Sequence, residues 1–468
     1  MDGIVKIMHD PGVIKMHFRT ALICPLFLST LATPVTGASL ATREASTFVT
    51  RLENTLKGLG AFTKGVLQEV DLLVGALQDV AEGKIDPVTT LEEALGSLSD
   101  VRNASEAGVV GVAVDIVTKG LAPKNIIDLV EGLSDDEINS MNNTNPKNPQ
   151  TSIFPKSSSD APYSQREEAL RSAIYIPDDF SYGANGKRPV LLVPGTGSPG
   201  GLSYYFNFEK LLRGTDFAEP VWINVPNNSL ADIQVTSEYI AYAINYIAEI
   251  SNTKIAVVAA SQGNVGVQWA LKYWPSTRDS VDDFMAISAD FHGSYLVEVC
   301  LVPNSFCGPA VLQQAYDSEF IKTLRSDDGD SAYVPTTSIF SGPDEVVEPQ
   351  ADPDASGELS DVRGVGSTNT QVQLACPGLP AGGFYGHGTL IVNPVTWALF
   401  VDAITHEGPA DLSRIDTDSI CNRLITQGLG LTDVLGTVVA VDMTVVVDQL
   451  EYGYTGTNVE PAIKDYAQ

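Results

Sequence analysis

Hydrophobic positions fall into two regimes along the chain. Between about residues 46 and 140 they recur at three- and four-residue steps, with Phe48, Leu52, Leu56 and Leu59 followed by Val66, Val70, Leu73 and Leu77 and polar residues between them. That period predicts amphipathic helices, and strand-like alternation is absent. Past residue 163 the pattern changes to short apolar runs alternating with amphipathic stretches. Strands are predicted at 190–193, 221–223, 255–259, 284–288, 336–340 and 372–374, and helices at 232–250, 264–274, 311–325 and 394–405. Strands that alternate with helices and are apolar throughout indicate a mostly parallel sheet covered by helices on both faces.

Between the two regimes, residues 142–163 are rich in Asn, Pro and Ser and lack apolar periodicity, which reads as an exposed linker. The expected organisation is a segment 1–38, a small helical N-terminal accessory domain or removable pro-domain over 39–141, the linker 142–163, and an α/β catalytic domain over 164–468. In the first segment Lys15, His17 and Arg19 precede an apolar run from Thr20 to Leu28, and the small residues Thr36, Gly37 and Ala38 follow. This is the form of a secretory signal peptide, and the run is too short and too interrupted by proline to span a membrane. Met16 opens a more typical signal than Met1 does.

Composition agrees with a folded exported protein. A hydrophobic content of 44% with only 18% charged residues can bury a large core in 468 residues, which is more than one core usually organises. The net charge of −30 argues against nucleic acid or anionic membrane surfaces as partners. Five cysteines include Cys24 in the signal segment, leaving Cys300, Cys307, Cys376 and Cys421. That even number suits two disulfides, and sequence proximity pairs Cys300 with Cys307 and hence Cys376 with Cys421. No CxxC spacing or histidine cluster supports a metal, and no cofactor is expected. Asn103, Asn142 and Asn227 open N-x-S/T sequons.

Candidate chemistry starts at Ser261. The predicted strand 255–259 runs into Ala259-Ala260-Ser261-Gln262-Gly263, and the predicted helix follows. A nucleophile on a sharp strand-to-helix turn needs small residues two positions before and two after, and Ala259 and Gly263 meet that need, although glycine is usual at both. A structural serine at a strand end is the competing reading. A serine nucleophile also needs a base. Outside the signal region the histidines are His292, His387 and His406. The chain order Ser, acid, His favours His387, bracketed by Gly386 and Gly388 in a loop. His292 follows the elbow too closely and fits the site wall or the surface, while His406 ends a predicted helix. The acid is expected just past the strand 336–340, where Asp344 is the first carboxylate, with Glu345 and Glu348 as competitors. The backbone N–H of Gln262 and a donor from the loop Pro194-Gly195-Thr196-Gly197, with Thr196 best placed, would form an oxyanion hole.

Taken in order, Pro194-Gly195-Thr196-Gly197, Gln234-Val235-Thr236-Ser237-Glu238-Tyr239, Ser261-Gln262-Gly263, Asp344-Glu345-Val346-Val347 and Gly386-His387-Gly388 resemble the secreted fungal lipases of the Candida antarctica lipase B type, from about residue 161 to beyond Cys421. The resemblance implies an α/β-hydrolase with Ser261, Asp344 and His387 as triad and Thr196 and Gln262 as oxyanion donors. It also implies a Cys376–Cys421 disulfide and a substrate pocket bordered by Asp290, Ala260 and Val346. Asp290 would be a floor carboxylate that is protonated or hydrogen-bonded. Three departures stand out. Ala260 replaces a tryptophan and should widen the alcohol side, Asn264 replaces a glycine, and the first family disulfide has no cysteines, with Val221 at one of its positions. The helical N-terminal region lies outside the resemblance.

The apolar segment 431–448 reads either as a buried core element or as an entrance-lining lid, and 296–310 is a second lid candidate. The expected function is a secreted serine carboxylic-ester hydrolase, a triacylglycerol lipase acting through an acyl-enzyme on a lipid or ester substrate. An esterase, polyester hydrolase or acyltransferase shares this chemistry, and a non-catalytic binding protein of the same fold is the alternative from another class.

Overall fold

A computed structural model describes residues 64–101, 104–123, 137–295, 307–351, 353–440, 457 and 459–468. The expected signal segment, Asn103, Cys300 and most of the 296–310 stretch lie outside the described residues. The stretch from Phe48 to Leu59 also lies outside the described residues; the later part of the predicted helical region forms α1 (Lys64–Ala81), α2 (Leu91–Ser99) and α3 (Ala104–Thr118). A capping box starts α2: the Thr90 side chain accepts the Glu93 N–H, and Glu93 Oε2 accepts the backbone N–H groups of Thr89 and Thr90. The apolar stripe of α1, with Leu73, Leu77 and Val80, packs on Val110, Ala113 and Val117 of α3.

The described N-terminal helices share apolar contacts with the rest of the chain. The core of α1–α3 is completed by Leu202, Phe206, Leu435 and Val438, all from the catalytic part of the chain. The described helices therefore pack both on one another and on the rest of the described chain, with which they cluster as one compact unit. Residues 142–163 form no helix or strand and are mostly exposed or half-buried, but they are tied to the body at several points. Asn143 Nδ2 donates to the carbonyls of Ser140 and Ser172, and Asn145 Nδ2 donates to those of Arg171 and Ile174. Ile153 is buried in the main core, and Phe154 stacks on Tyr163 at 4.9 Å. Asn143 and Asn145 thus satisfy backbone carbonyls, while Asn142 and Asn148 are exposed.

A seven-stranded sheet follows, in the order β1-β3-β2-β4-β5-β6-β7. Its strands are β1 (Ile174–Tyr175), β2 (Arg188–Val193), β3 (Ala218–Ile223), β4 (Ile255–Ala260), β5 (Val281–Ile287), β6 (Thr336–Phe340) and β7 (Ser367–Gln371). Only β1 runs antiparallel to its neighbour. Successive side chains in β2 and β4 enter opposite cores: Leu191, Val193, Val257 and Ala259 one, Val190, Leu192, Ala256 and Val258 the other. Helices α4 (Ile233–Ser251) and α5 (Gln262–Tyr273) close the first face and α6 (Pro394–Thr405) the second. This is the α/β-hydrolase architecture that the sequence leads one to expect.

Two local expectations change. Residues 372–374 begin a short helix, Val372–Ala375, and the strand before them is the polar β7 at the sheet's edge. The predicted helix 311–325 is broken into Pro309–Gln313 and Glu319–Arg325, the second capped by the Ser318 side chain. Among the described residues no helix is long and apolar enough to cross a membrane.

Candidate active site

The register places Ala259 beside Val193 on one side and Ala286 on the other, so β4 ends at the centre of the sheet's carboxyl edge. There Ser261 takes φ 52° and ψ −134°, a left-handed conformation that a non-glycine residue holds at a cost of about 1–3 kcal/mol. The turn is held from several sides. Ser261 N donates to Ile287 O at 3.0 Å, and Asn264 Nδ2 donates to both Ser261 O and Ile287 O at 2.9 Å. Gly263 lies where a Cβ would come within 2.7 Å of Pro194 O and 2.8 Å of Val193 O, which explains the need for glycine two residues after the serine. A Cβ on Gly195 would stand 3.0 Å from Ser261 Cβ and 3.6 Å from its Oγ, so the loop after β2 passes directly beside the hydroxyl.

On that loop, Thr196 Oγ1 donates to Gln262 Oε1 at 2.7 Å. Gln314 Nε2 donates to the same Gln262 oxygen at 3.1 Å and to Thr196 Oγ1 at 3.2 Å, while Gln262 Nε2 donates to Ser229 O at 2.9 Å. Gln262 starts α5, so its N–H is one of the unpaired donors at a helix N-terminus. Gln314 was not singled out from the sequence. It follows Gln313 just past a short helix, and two adjacent glutamines at a helix end were the available signal.

Asp344 follows β6 and is brought to His387. His387 Nδ1 lies 2.9 Å from Asp344 Oδ2 and 3.0 Å from Oδ1, with the carboxylate side chain fully buried and the imidazole 15% exposed. Asp344 Oδ1 also accepts the N–H groups of Val346 and Val347 at 2.9 and 2.8 Å. The loop that bears the histidine is tied down along its length. Ser341 Oγ donates to Tyr385 O, Glu345 Oε2 accepts His387 N–H at 2.9 Å, and Ser288 Oγ donates to His387 O at 3.3 Å. Ser288 directly follows β5, whose Ile287 carbonyl binds Ser261 N–H. The imidazole loop and the serine turn are thus anchored to adjacent residues, although no direct hydrogen bond joins Ser261 Oγ to His387 among the described residues. Burial lowers the basicity of His387, but the charge and hydrogen bond of Asp344, then Glu345 and Asp290, outweigh it and raise its pKa to about 9.

Asp290 is fully buried, and among the described residues neither carboxyl oxygen meets a hydrogen-bond partner. Burial is the main reason its pKa rises to about 7. Val346 is 41% exposed beside Asp344, and Ala260 is half-buried before the serine. The other two histidines stand apart. His292 is half-buried, and its pKa falls to about 4 through burial and then Arg325, with Asp330 opposing. His406 caps α6 beside Asp402. Cys376 and Cys421 form a disulfide, as expected. Cys307 is disulfide-bonded, and its expected partner Cys300 lies outside the described residues.

No family model matches the chain. Lipase B of Pseudozyma antarctica is 34% identical over 221 residues, which are 47% of this chain and 63% of that protein, so the match spans less than two thirds of that relative's length. The crystal structure of Aspergillus fumigatus lipase B superposes with a TM-score of 0.83 at 42% identity, covering 90% of this chain and 100% of that one. With identity and coverage of that order over both the α/β body and the residues around Ser261, the chain belongs to the fungal lipase B family.

Proposed function

We propose that this protein is a secreted carboxylic-ester hydrolase of the triacylglycerol lipase type, with Ser261, Asp344 and His387 as its triad. The observation that carries the reading is the buried Asp344 carboxylate on His387 Nδ1 at 2.9 Å, which fixes the tautomer that leaves Nε2 as the basic end. In this scheme Nε2 takes the Ser261 Oγ proton as Oγ attacks the ester carbonyl carbon. The resulting oxyanion is met by the backbone N–H groups of Gln262 and Thr196. The imidazolium then gives its proton to the departing alcohol oxygen, the C–O bond breaks and an acyl-Ser261 ester remains. Water, deprotonated by the same nitrogen, attacks the acyl carbon; the bond to Ser261 Oγ breaks, Oγ takes back the proton and the acid leaves. The Thr196 hydroxyl, which as found donates to Gln262 Oε1, is a third donor once it turns to the oxyanion, because Gln314 Nε2 still satisfies that oxygen.

A stacked, part-exposed tyrosine pair beside the acid loop supports an acyl substrate. Tyr295 and Tyr316 stack at 4.4 Å while 45% and 40% exposed, and they are tied to the acid loop through Tyr295 N to Glu348 O and Ser294 Oγ to Val346 O. A fluorophosphonate probe tests the chemistry. Labelling of Ser261 that vanishes in Ser261→Ala, together with cleavage of emulsified triglyceride, is expected. A folded protein that takes no label and cleaves neither triglyceride nor p-nitrophenyl esters overturns the reading.

A further inference from the structure

The acid of the triad is followed by a second carboxyl that the acyl-transfer scheme does not employ. Glu345 Oε2 accepts the backbone N–H of His387 at 2.9 Å, and the side chain reaches that N–H by occupying the space next to Gly386. A Cβ on residue 386 would run into Glu345 Oε2 and stand 2.9 Å from its Cδ and 3.0 Å from Oε1. Gly386 does not have a positive φ, so its missing side chain provides room rather than an unusual backbone conformation.

Placing a carboxyl there is costly. Burial, and after it the charge of Asp344, push its pKa up to about 7, with His387 opposing. An apolar residue at 345 would avoid that cost and leave the His387 N–H without a partner beside the pocket. Other anchors of the loop hold carbonyls: Ser341 Oγ donates to Tyr385 O, Ser288 Oγ to His387 O, and Thr389 N, Thr389 Oγ1 and Leu390 N to Gly386 O, at the other end of the peptide that carries the His387 N–H. Among the described residues Glu345 holds the donor side of that peptide, opposite the groups on Gly386 O.

We propose that Glu345 is a positioning residue that grips the His387 backbone and keeps the imidazole aimed at Ser261, with Gly386 as the space that admits its carboxyl. The proposal rests on the reading of His387 as the general base. Four variants test it: Glu345→Ala, which removes the acceptor; Glu345→Gln, which keeps an acceptor oxygen and removes the charge; Gly386→Ala; and the double variant Glu345→Ala with Gly386→Ala. Each is assayed for kcat and KM on a soluble p-nitrophenyl ester across pH and for its thermal midpoint.

Glu345→Ala is expected to lower kcat about 10- to 100-fold with KM nearly unchanged, the loss that misplacement of a catalytic group by about 1 Å produces. Glu345→Gln should recover most of that loss. Its acidic limb should also move to lower pH, because a negative charge that raises the His387 pKa is gone; the recovery of kcat by an uncharged acceptor is what separates positioning from charge. Gly386→Ala should be damaging alone, yet the double variant should be no worse than Glu345→Ala, because the clashing carboxyl is absent. Wild-type kcat in Glu345→Ala, or equal losses in the Ala and Gln variants with an unmoved pH limb, overturns the proposal. If Ser261→Ala or His387→Ala keeps full esterase activity, the functional reading fails first, and that outcome is separate from any result at Glu345.

Discussion

Asn264 offers a sharp test of how the serine turn is held. Its Nδ2 bridges Ser261 O and Ile287 O, both at 2.9 Å, and the resemblance places a glycine at this position in related lipases. Replacing it with alanine removes two hydrogen bonds, each with a net contribution of about 1 kcal/mol. Neither carbonyl is orphaned, because Ser261 O still accepts Asn264 N–H and Ile287 O still accepts Ser261 N–H. Asn264 Oδ1 is buried without a partner among the described residues, so its loss returns part of that cost, and the alanine favours the helix by a few tenths of a kcal/mol. The expected net cost of Asn264→Ala is about 1 kcal/mol. Asn264→Asp is different in kind. It aims a carboxylate oxygen at two carbonyl oxygens in a buried site, which costs about 3 kcal/mol or more for the ionised form. The aspartate then keeps its proton in the fold while the unfolded chain releases it. Its folded pKa lies above the unfolded value, so stability falls as pH rises between the two. Urea unfolding followed by circular dichroism at about pH 5 and about pH 8 reads the difference. Asn264→Asp should be the least stable variant at the higher pH and should recover toward Asn264→Ala at the lower. If Asn264→Asp matches the wild type at both pH values, the bridge does not hold the turn and the argument is refuted.

Three further outcomes follow from the same geometry. Gly263→Ala forces a Cβ to within 2.7 Å of Pro194 O and 2.8 Å of Val193 O, backbone atoms that cannot yield cheaply, so a loss of about 1–3 kcal/mol in urea and slower fluorophosphonate labelling of Ser261 are expected. Removing the Cys376–Cys421 disulfide frees a loop of 45 residues and should cost about 4 kcal/mol on the loop-closure model, with esterase activity kept below the unfolding transition. His292, whose pKa falls to about 4, stays neutral in the fold while the unfolded chain binds a proton near the ordinary value of 6.5; stability should therefore fall as pH drops through that interval. His292→Gln should flatten the fall in thermal midpoint between about pH 7 and about pH 4, and an unchanged slope would show that another group sets the acid sensitivity.

How much of this was legible in the chain depended on whether a residue's task was local. The serine turn is local: small residues flank Ser261 because Gly263 must clear two carbonyls a few ångströms away, and that need is written into five consecutive positions. The central strands were legible because burial on both faces requires an unbroken apolar run. The edge strand β7 was not, since Ser367–Gln371 has one neighbour and a half-exposed face and carries polar residues that read as loop. Glu345 was read only as a rival to Asp344, because its partner Gly386 lies about forty residues downstream and a missing Cβ gives no sequence signal of what fills its place.

The segment 431–448 shows the same limit at larger scale. Its apolar character fitted either a core element or an entrance lid, and the described part resolves toward the first. Val434 is buried in the core beneath α6, while Leu435 and Val438 are buried against Leu73 and Leu77 of α1 and Val117 of α3. No periodicity within 431–438 announces that partner, which is supplied by helices more than three hundred residues earlier. The same contact removes the reason to treat those helices as an appendage. The stripe of α1 is covered partly by α3 and partly by Leu202, Phe206, Leu435 and Val438 of the catalytic body, so apolar contacts join the chain on either side of residues 142–163.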